Sequence, residues 1–123
     1  MRILLAEDDP NISTIAKIAL ESVGGHQISI AADGATALER MTSEDFDLIL
    51  LDEMMPQMNG LEVCEKYSAQ AEKTAPIIFM SANVNREKKL GGRAIGFIPK
   101  PFDPMTLALQ VEQIMQAKIK KAV

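Results

Sequence analysis

The sequence has no tryptophan, one tyrosine and four phenylalanines in 123 residues. A core is still within reach, because 47% of the residues are apolar. Eight methionines are spread along the chain, and we expect them to fill core gaps instead of forming a metal or partner stripe. With Cys64 as the single cysteine, no internal disulfide can form, which fits a reducing compartment. Cys64 reads as a core residue and His26, the one histidine, as a surface residue, neither with a chemical role. Excess positive charge is also missing. Thirteen basic residues against seventeen acidic ones leave a net charge of −4, which argues against a nucleic-acid surface as the main business of the chain. Long apolar runs are lacking too. The opening run at residues 3–6 is too short for a signal peptide or a membrane span, so a soluble cytoplasmic protein is expected. There is no solenoid repeat, no low-complexity segment, and neither GxGxxG nor GxxxxGK[ST]. The length suits one domain over residues 1–123.

Short apolar runs alternate with stretches of helical period. Ile3-Leu4-Leu5-Ala6 reads as a buried strand. Asp9-Pro10 then opens a helix, with Asp9 as N-cap and Pro10 in its first position. That helix carries Ile12, Ile15, Ala16, Ala19 and Val23 and stops at Gly24-Gly25. Residues 27–31 alternate as an edge strand does, with Ile28 and Ile30 on one face. Asp33-Gly34 leads into a short helix with Ala35, Leu38 and Met41. Residues 46–51 form the strongest strand, in which Leu48-Ile49-Leu50-Leu51 is apolar on both faces as a central parallel strand should be. Asn59-Gly60 opens a third helix with Leu61, Cys64 and Tyr67 inward. A fourth strand is expected at residues 76–80, a weak polar helix at 85–90 and a short fifth strand at 95–98. Asp103-Pro104 caps the last helix, which buries Leu107, Val111 and Ile114 and ends near Lys118, Lys120 and Lys121. Five β–α units predict an α/β, doubly wound (βα)5 sandwich: a parallel sheet with helices on both faces. For five strands the flavodoxin-like order 2-1-3-4-5 is chosen, with a ligand crevice at the carboxyl ends of strands 1 and 3.

Those carboxyl ends carry the chemistry. Strand 1 runs into Glu7-Asp8-Asp9, strand 3 into Asp52, strand 4 into Ser81 and strand 5 into Lys100-Pro101. Taken singly, each has an ordinary explanation. Asp9 serves as the N-cap, Glu7 and Asp8 could be solvated loop acids, Ser81 a cap, Lys100 a surface cation and Phe97 core. Their convergence on one crevice is the informative feature. Asp52 follows four aliphatic residues and should be partly buried, so it needs a partner.

Two carboxylates ~4 Å apart repel by about 4 kcal/mol at an effective dielectric near 20. Glu7, Asp8 and Asp52 held together would oppose folding on the scale of a domain's whole stability, roughly 5–15 kcal/mol. Lys100 offsets one charge, and a divalent cation offsets two more. Oxygen ligands completed by water suit Mg²⁺, which can also neutralise a phosphoryl group. An aspartate carboxylate can accept a phosphoryl group. The transferred oxygens then need cations and donors, which Lys100, the Ser81 hydroxyl and backbone N–H groups could provide.

The motifs Ile3-Leu4-Leu5-Ala6-Glu7-Asp8-Asp9-Pro10, Leu51-Asp52-Glu53-Met54-Met55-Pro56-Gln57-Met58-Asn59-Gly60, Met80-Ser81-Ala82 and Phe97-Ile98-Pro99-Lys100-Pro101-Phe102 together resemble the receiver domain of bacterial two-component response regulators. The resemblance covers residues 2–115. It implies that Asp52 is the phosphorylation site and that Mg²⁺ is the cofactor. Asp8 would be a direct metal ligand, Glu7 a ligand through water, and the main-chain carbonyl of Met54 a further ligand beside Asp52. Ser81 and Lys100 match the hydroxyl and lysine that grip the phosphoryl group, Phe97 matches the switch aromatic, and the Lys100-Pro101 bond is expected to be cis. The implied donor is a histidine kinase or histidine phosphotransfer protein, and the implied receiver of the signal is a downstream effector protein or a fused output domain. The segment at 85–90, the fifth strand and the last helix would form the partner face.

The sequence departs from the family pattern at two places. Gly92-Arg93-Ala94-Ile95 stands where the family often has Gly-Ala shortly before the switch aromatic, and the switch position holds Phe97 in place of tyrosine. Neither touches the pocket. Two rival functions fit less well. An aspartyl-phosphate hydrolase of the haloacid-dehalogenase type wants a second carboxylate two residues after the nucleophile, where this chain has Met54. A docking module that no longer accepts phosphate fits poorly with the intact set Glu7, Asp8, Asp52, Ser81 and Lys100. Turnover of an external substrate, and so an enzyme in the usual sense, is not expected.

Overall fold

The structure, a computed structural model, describes residues 1–70, 75–82 and 94–122, with side chains through Ala117 in the last helix. Along the chain lie β1 (Arg2–Ala6), α1 (Pro10–Gly24), β2 (Gln27–Ala31), α2 (Gly34–Ser43), β3 (Leu48–Asp52), α3 (Gly60–Ala69), β4 (Ile77–Ser81), β5 (Ala94–Pro99) and α4 (Leu107–Ala122). The strands form one five-stranded sheet in the order β2-β1-β3-β4-β5. All four neighbouring pairs are parallel. This is the doubly wound order expected from the sequence. The polar helix expected at residues 85–90 lies outside the described residues.

Side-chain alternation along the strands divides the core into two layers. Ile3, Leu5, Leu48, Leu50, Ile78, Met80 and Ile98 face α1 and α4. Leu4, Ala6, Ile49, Leu51, Ile77 and Phe79 face α2 and α3. Burial on both faces explains why β3 and β4 read as unbroken apolar runs.

The helix starts follow the capping chemistry. Asp9 Oδ1 accepts the Asn11 N–H at 2.8 Å, and Pro10 stands where a missing N–H costs nothing. Asp33 accepts the Thr36 N–H at 2.7 Å and Asn59 the Glu62 N–H at 2.9 Å. Gly25 closes α1 in the left-handed region at φ 68°. The last helix differs from the expected start. Asp103 caps a tight turn, accepting the Met105 N–H at 2.8 Å on its carboxylate and the Thr106 N–H at 3.0 Å on its carbonyl. Regular α-helix begins only at Leu107.

Helix phase also differs from the simple apolar pattern. In α1 the buried line is Ala16, Ala19 and Leu20, whereas Ile15, Ile18 and Val23 are exposed. Alanines let the helix approach the sheet closely, so the bulkier residues turn outward. In α2, Ala37 and Met41 are buried and Ala35 is exposed. In α3, Val63 joins Cys64 and Tyr67 in the core, while Leu61 is half-buried. Ile114 of α4 is half-buried beside the buried Leu107 and Val111. Phe46 precedes β3 instead of belonging to it. Its ring lies under the Arg2 guanidinium at 4.7 Å and near that of Arg40 at 5.9 Å.

Two further expectations are corrected. His26 is not a surface residue: its side chain is 8% exposed, with Nδ1 3.0 Å from the Met1 nitrogen and Nε2 3.6 Å from Glu112. Gly24 leaves it room, since a Cβ there would stand 2.5 Å from His26 Cδ2. Burial pushes the imidazole pKa below its usual value, helped by the neighbouring ammonium and opposed by Glu112. Nor are the methionines all core filling, because Met54 and Met105 are exposed.

The revised α1 phase and the central position of β3 set opposite costs for two truncations. Leu50→Ala should destabilise the protein by about 2–5 kcal/mol. Ile15→Ala should stay within about 0.5 kcal/mol of wild type. Urea unfolding followed by circular dichroism measures both, and an equal loss in the two variants would contradict the assigned phase.

Candidate phosphoryl-acceptor pocket

The pocket is built by strand ends. The pairing of Ala6 with Leu51 brings the residues after β1 beside the end of β3. Pairing of Asp52 with Met80 and of Ser81 with Pro99 adds the ends of β4 and β5. Oxygens of Glu7, Asp8 and Asp52 all lie within 4.8 Å of one another. Glu7 and Asp52 are buried, and Asp8 faces solvent. Lys100 Nζ lies 2.8 Å from Glu7 Oε1 and 3.4 Å from Asp52 Oδ2. The lysine therefore pairs more closely with the first-strand acid than with the central aspartate. Its backbone is anchored by the Lys100 N–H, which donates to the Ser81 carbonyl at 2.8 Å. The Lys100-Pro101 peptide bond is cis.

The other candidates take different places. The Met54 N–H donates to Asp52 Oδ1 at 3.3 Å, while the Met54 side chain is 68% exposed. Ser81 is buried at the end of β4, one residue past the partner of Asp52. Phe97 is half-buried, registered with Phe79 on the α2–α3 face, and is not part of the carboxylate group. Glu53, which the sequence pattern does not single out, is as buried as Asp52. The signal was an acid directly after the strand's last residue, in the alternation of Ile49 and Leu51. Asn83 lies outside the described residues.

Electrostatics follows from the crowding. Burial, together with the adjoining Asp52 carboxylate and against the pull of Lys100, pushes Glu7 up to about 8. Burial works against the Lys100 charge, but the Glu7 and Asp52 carboxylates outweigh it and raise its pKa. Glu7 Oε2 is buried with no hydrogen-bond partner among the described residues. A buried oxygen left over, in an all-oxygen acid group with too little positive charge, fits a hard divalent cation. It does not fit a soft metal, which would want sulfur or imidazole.

The family model of the response regulator receiver domain matches residues 3–112. Response regulator ArlR of Staphylococcus saprophyticus is 33% identical over 123 residues, covering 98% of this chain and 54% of that protein. The chain thus spans about half the length of the curated relatives it matches. Among solved structures, the Francisella response regulator 1452 receiver domain superposes with a TM-score of 0.83 at 26% identity, covering 95% of this chain and 98% of that one. Response regulator TrrA of Thermotoga maritima, solved in complex with Mg²⁺–BeF, gives a TM-score of 0.80 at 32% identity, with 92% and 97% covered. Receiver domains bind Mg²⁺ at an acidic pocket of the kind formed by Glu7, Asp8 and Asp52. By fold, strand-end chemistry and sequence, the chain belongs to the response regulator receiver domain family, the phosphorylation-dependent switches of two-component signalling.

Proposed function

We propose that Asp52 is the phosphoryl acceptor of this receiver domain. One observation carries the reading: the Asp52 carboxylate is buried at a strand end, yet shares its crevice with two further acids and, among the described residues, a single lysine. Glu7, Asp8, Asp52 and the Met54 carbonyl are the groups that would hold Mg²⁺, with Glu7 acting through water. When bound, Mg²⁺ supplies the positive charge that the carboxylates and the phosphoryl oxygens both need. An Asp52 oxygen attacks phosphorus, the bond from phosphorus to the donor breaks, and the donor nitrogen or oxygen leaves with the electron pair. Lys100 moves its hydrogen bonding from the carboxylates to a phosphoryl oxygen, and Ser81 and the Met54 N–H donate to others. The chain assists its own phosphorylation and later hydrolysis and turns over no external substrate.

The donor is a histidine kinase or histidine phosphotransfer protein, a role that rests on family membership. Since the relatives are about twice as long, the signal passes to a downstream effector or a fused output domain. The face bearing β5 and α4 is the partner surface. There Phe97, Ile98, Gln110 and Ile114 line a cleft of about 300 Å³. The rest of that surface, at residues 85–90, lies outside the described residues. Among the described residues, no helix is long and apolar enough to cross a membrane. Met54, where a dehalogenase-type hydrolase needs a second carboxylate, sets that alternative aside.

Acetyl phosphate with Mg²⁺ should add one phosphoryl mass to the wild type and none to Asp52→Asn, read by intact mass. Equal labelling of the variant would remove Asp52 from its role.

A second expectation follows from Glu7. Its folded pKa of about 8 lies above the ordinary 4.5. The stability it contributes is therefore complete below pH 4.5 and is lost as pH rises through 8. Without metal, the melting temperature should fall over that range, and Glu7→Gln should flatten the fall. Mg²⁺ favours the ionised carboxylates, so its stabilising effect should be larger near pH 8 than near pH 5. Asp8→Ala should lose the Mg²⁺ effect. Thermal scans at both pH values, with and without Mg²⁺, decide the matter.

The exposed Met54 side chain offers no strong hydrogen bond to orient an attacking water. Phosphoryl loss should accordingly be slower in the wild type than in Met54→Asn, measured as decay of the phosphorylated mass after donor removal.

A further inference from the structure

The segment between β3 and α3, residues 53–59, carries the Met54 N–H, which donates to Asp52 Oδ1 at 3.3 Å, and the Met54 carbonyl proposed above as a metal ligand. Its course is held at both ends and in the middle. At the far end, the Gly60 N–H donates to the Glu53 carbonyl at 2.9 Å. A Cβ on Gly60 would run into the Asp52 carbonyl oxygen and stand 3.0 Å from Glu53 Cα. In the middle the chain reverses through Gln57 at φ 67°, and the Met58 N–H donates back to the Pro56 carbonyl at 2.8 Å. A left-handed backbone at a residue with a side chain persists only where its surroundings over-determine it.

Next to this turn, at Met58, stands the start of α2. Gly34 is buried in the first position of that helix, and a Cβ there would collide with the Met58 carbonyl oxygen. The same Cβ would lie 2.8 Å from Met58 Cβ and 2.9 Å from Met58 C. What it meets is backbone, which cannot swing aside as a flexible side chain does. Gly34 does not occupy positive φ, so the demand for glycine is one of space. The helix end is itself fixed, since Asp33 takes the Thr36 N–H at 2.7 Å and the Thr36 hydroxyl at 3.1 Å.

We propose that Gly34 is a positioning residue for the phosphoryl-transfer pocket. Having no side chain, it lets the end of α2 press on the Met58 backbone and so sets the path by which Met54 presents its N–H and carbonyl beside Asp52. The proposal rests on the reading of Asp52 as a Mg²⁺-dependent acceptor.

Gly34→Ala is the direct test, with Gly96→Ala as the control. Alanine is a better helix former than glycine, so α2 itself should persist. The three atoms nearest a Cβ on Gly96 all belong to the Ile114 side chain, from 2.5 Å, on the β5–α4 contact. Calorimetric titration with Mg²⁺ should show binding weakened about tenfold in Gly34→Ala, the loss typical when a ligand's support is removed. Amide NMR of the metal-free variant should show shifts across residues 53–59. Gly96→Ala should melt at a lower temperature with Mg²⁺ affinity unchanged. Wild-type Mg²⁺ affinity and unshifted 53–59 amides in Gly34→Ala would overturn the proposal. Should Gly34→Ala fail to fold, the wild type still answers. Titration with Mg²⁺ and beryllofluoride should move the amides of residues 33–37 together with those of 53–60, and movement of the latter alone would overturn the proposal. Wild type that binds neither Mg²⁺ nor beryllofluoride would instead overturn the acceptor reading itself.

Discussion

Two buried carboxylates, Glu7 and Asp52, share one lysine at the end of a parallel sheet, and the rest of the molecule has to tolerate that arrangement. At an effective dielectric near 20, like charges ~4 Å apart cost about 4 kcal/mol, a large part of the roughly 5–15 kcal/mol that keeps a domain folded. Lys100 sits within hydrogen-bond range of Glu7 and close to Asp52, yet carries only one positive charge. Burial, with the adjoining Asp52 carboxylate, raises the Glu7 pKa, and Glu7 Oε2 stays buried with no hydrogen-bond partner among the described residues. A group that adds positive charge relieves the imbalance, and a phosphoryl group that adds negative charge renews it. Sensitivity to ligands and readiness to switch thus come from one source.

The scaffold meets this demand by making everything below the strand ends apolar and close-packed. β1, β3 and β4 are buried on both faces, so their backbones have little freedom to drift when the charges above them change. The candidate pocket residues sit at or just past the strand ends, where the chain leaves the sheet and Asp8 and the Met54 side chain face solvent. Small residues set the distances between layers. Ala16 and Ala19 bring α1 onto the sheet, while Gly34 and Gly60 bring two helices against the segment that follows Asp52.

Much of this was legible in the order of residues. Asp9-Pro10, Asp33-Gly34 and Asn59-Gly60 marked three helix starts because capping is local chemistry, satisfied within a few residues. The aliphatic run before Asp52 marked a central strand because only a strand covered on both faces reads that way. Other features depended on partners far along the chain. Ile15 and Val23 look inward by spacing, but α1 turns its alanines to the core. His26 looks like a surface residue until Gly24 and Glu112 close around it. Phe46 looks like the start of a strand, but it precedes the ladder, buried in the α2–α3 layer with its ring beside the Arg2 and Arg40 guanidinium groups. Asp103 looks like a helix cap, yet its hydrogen bonds close a turn before α4.

By itself, then, the sequence determined the alternation of strands and helices, the parallel sheet, and the set of groups at its carboxyl ends, because period, capping and the run of aliphatic residues are properties of neighbours. Family membership came from the same local motifs. Tertiary structure alone decided which acid Lys100 pairs with, how deeply Glu53 is buried, which helix faces turn inward, and how little room Met58 leaves beside Gly34. Each of these depends on a distance between segments that meet only when the sheet closes. No pattern along one segment records the space another segment will leave it.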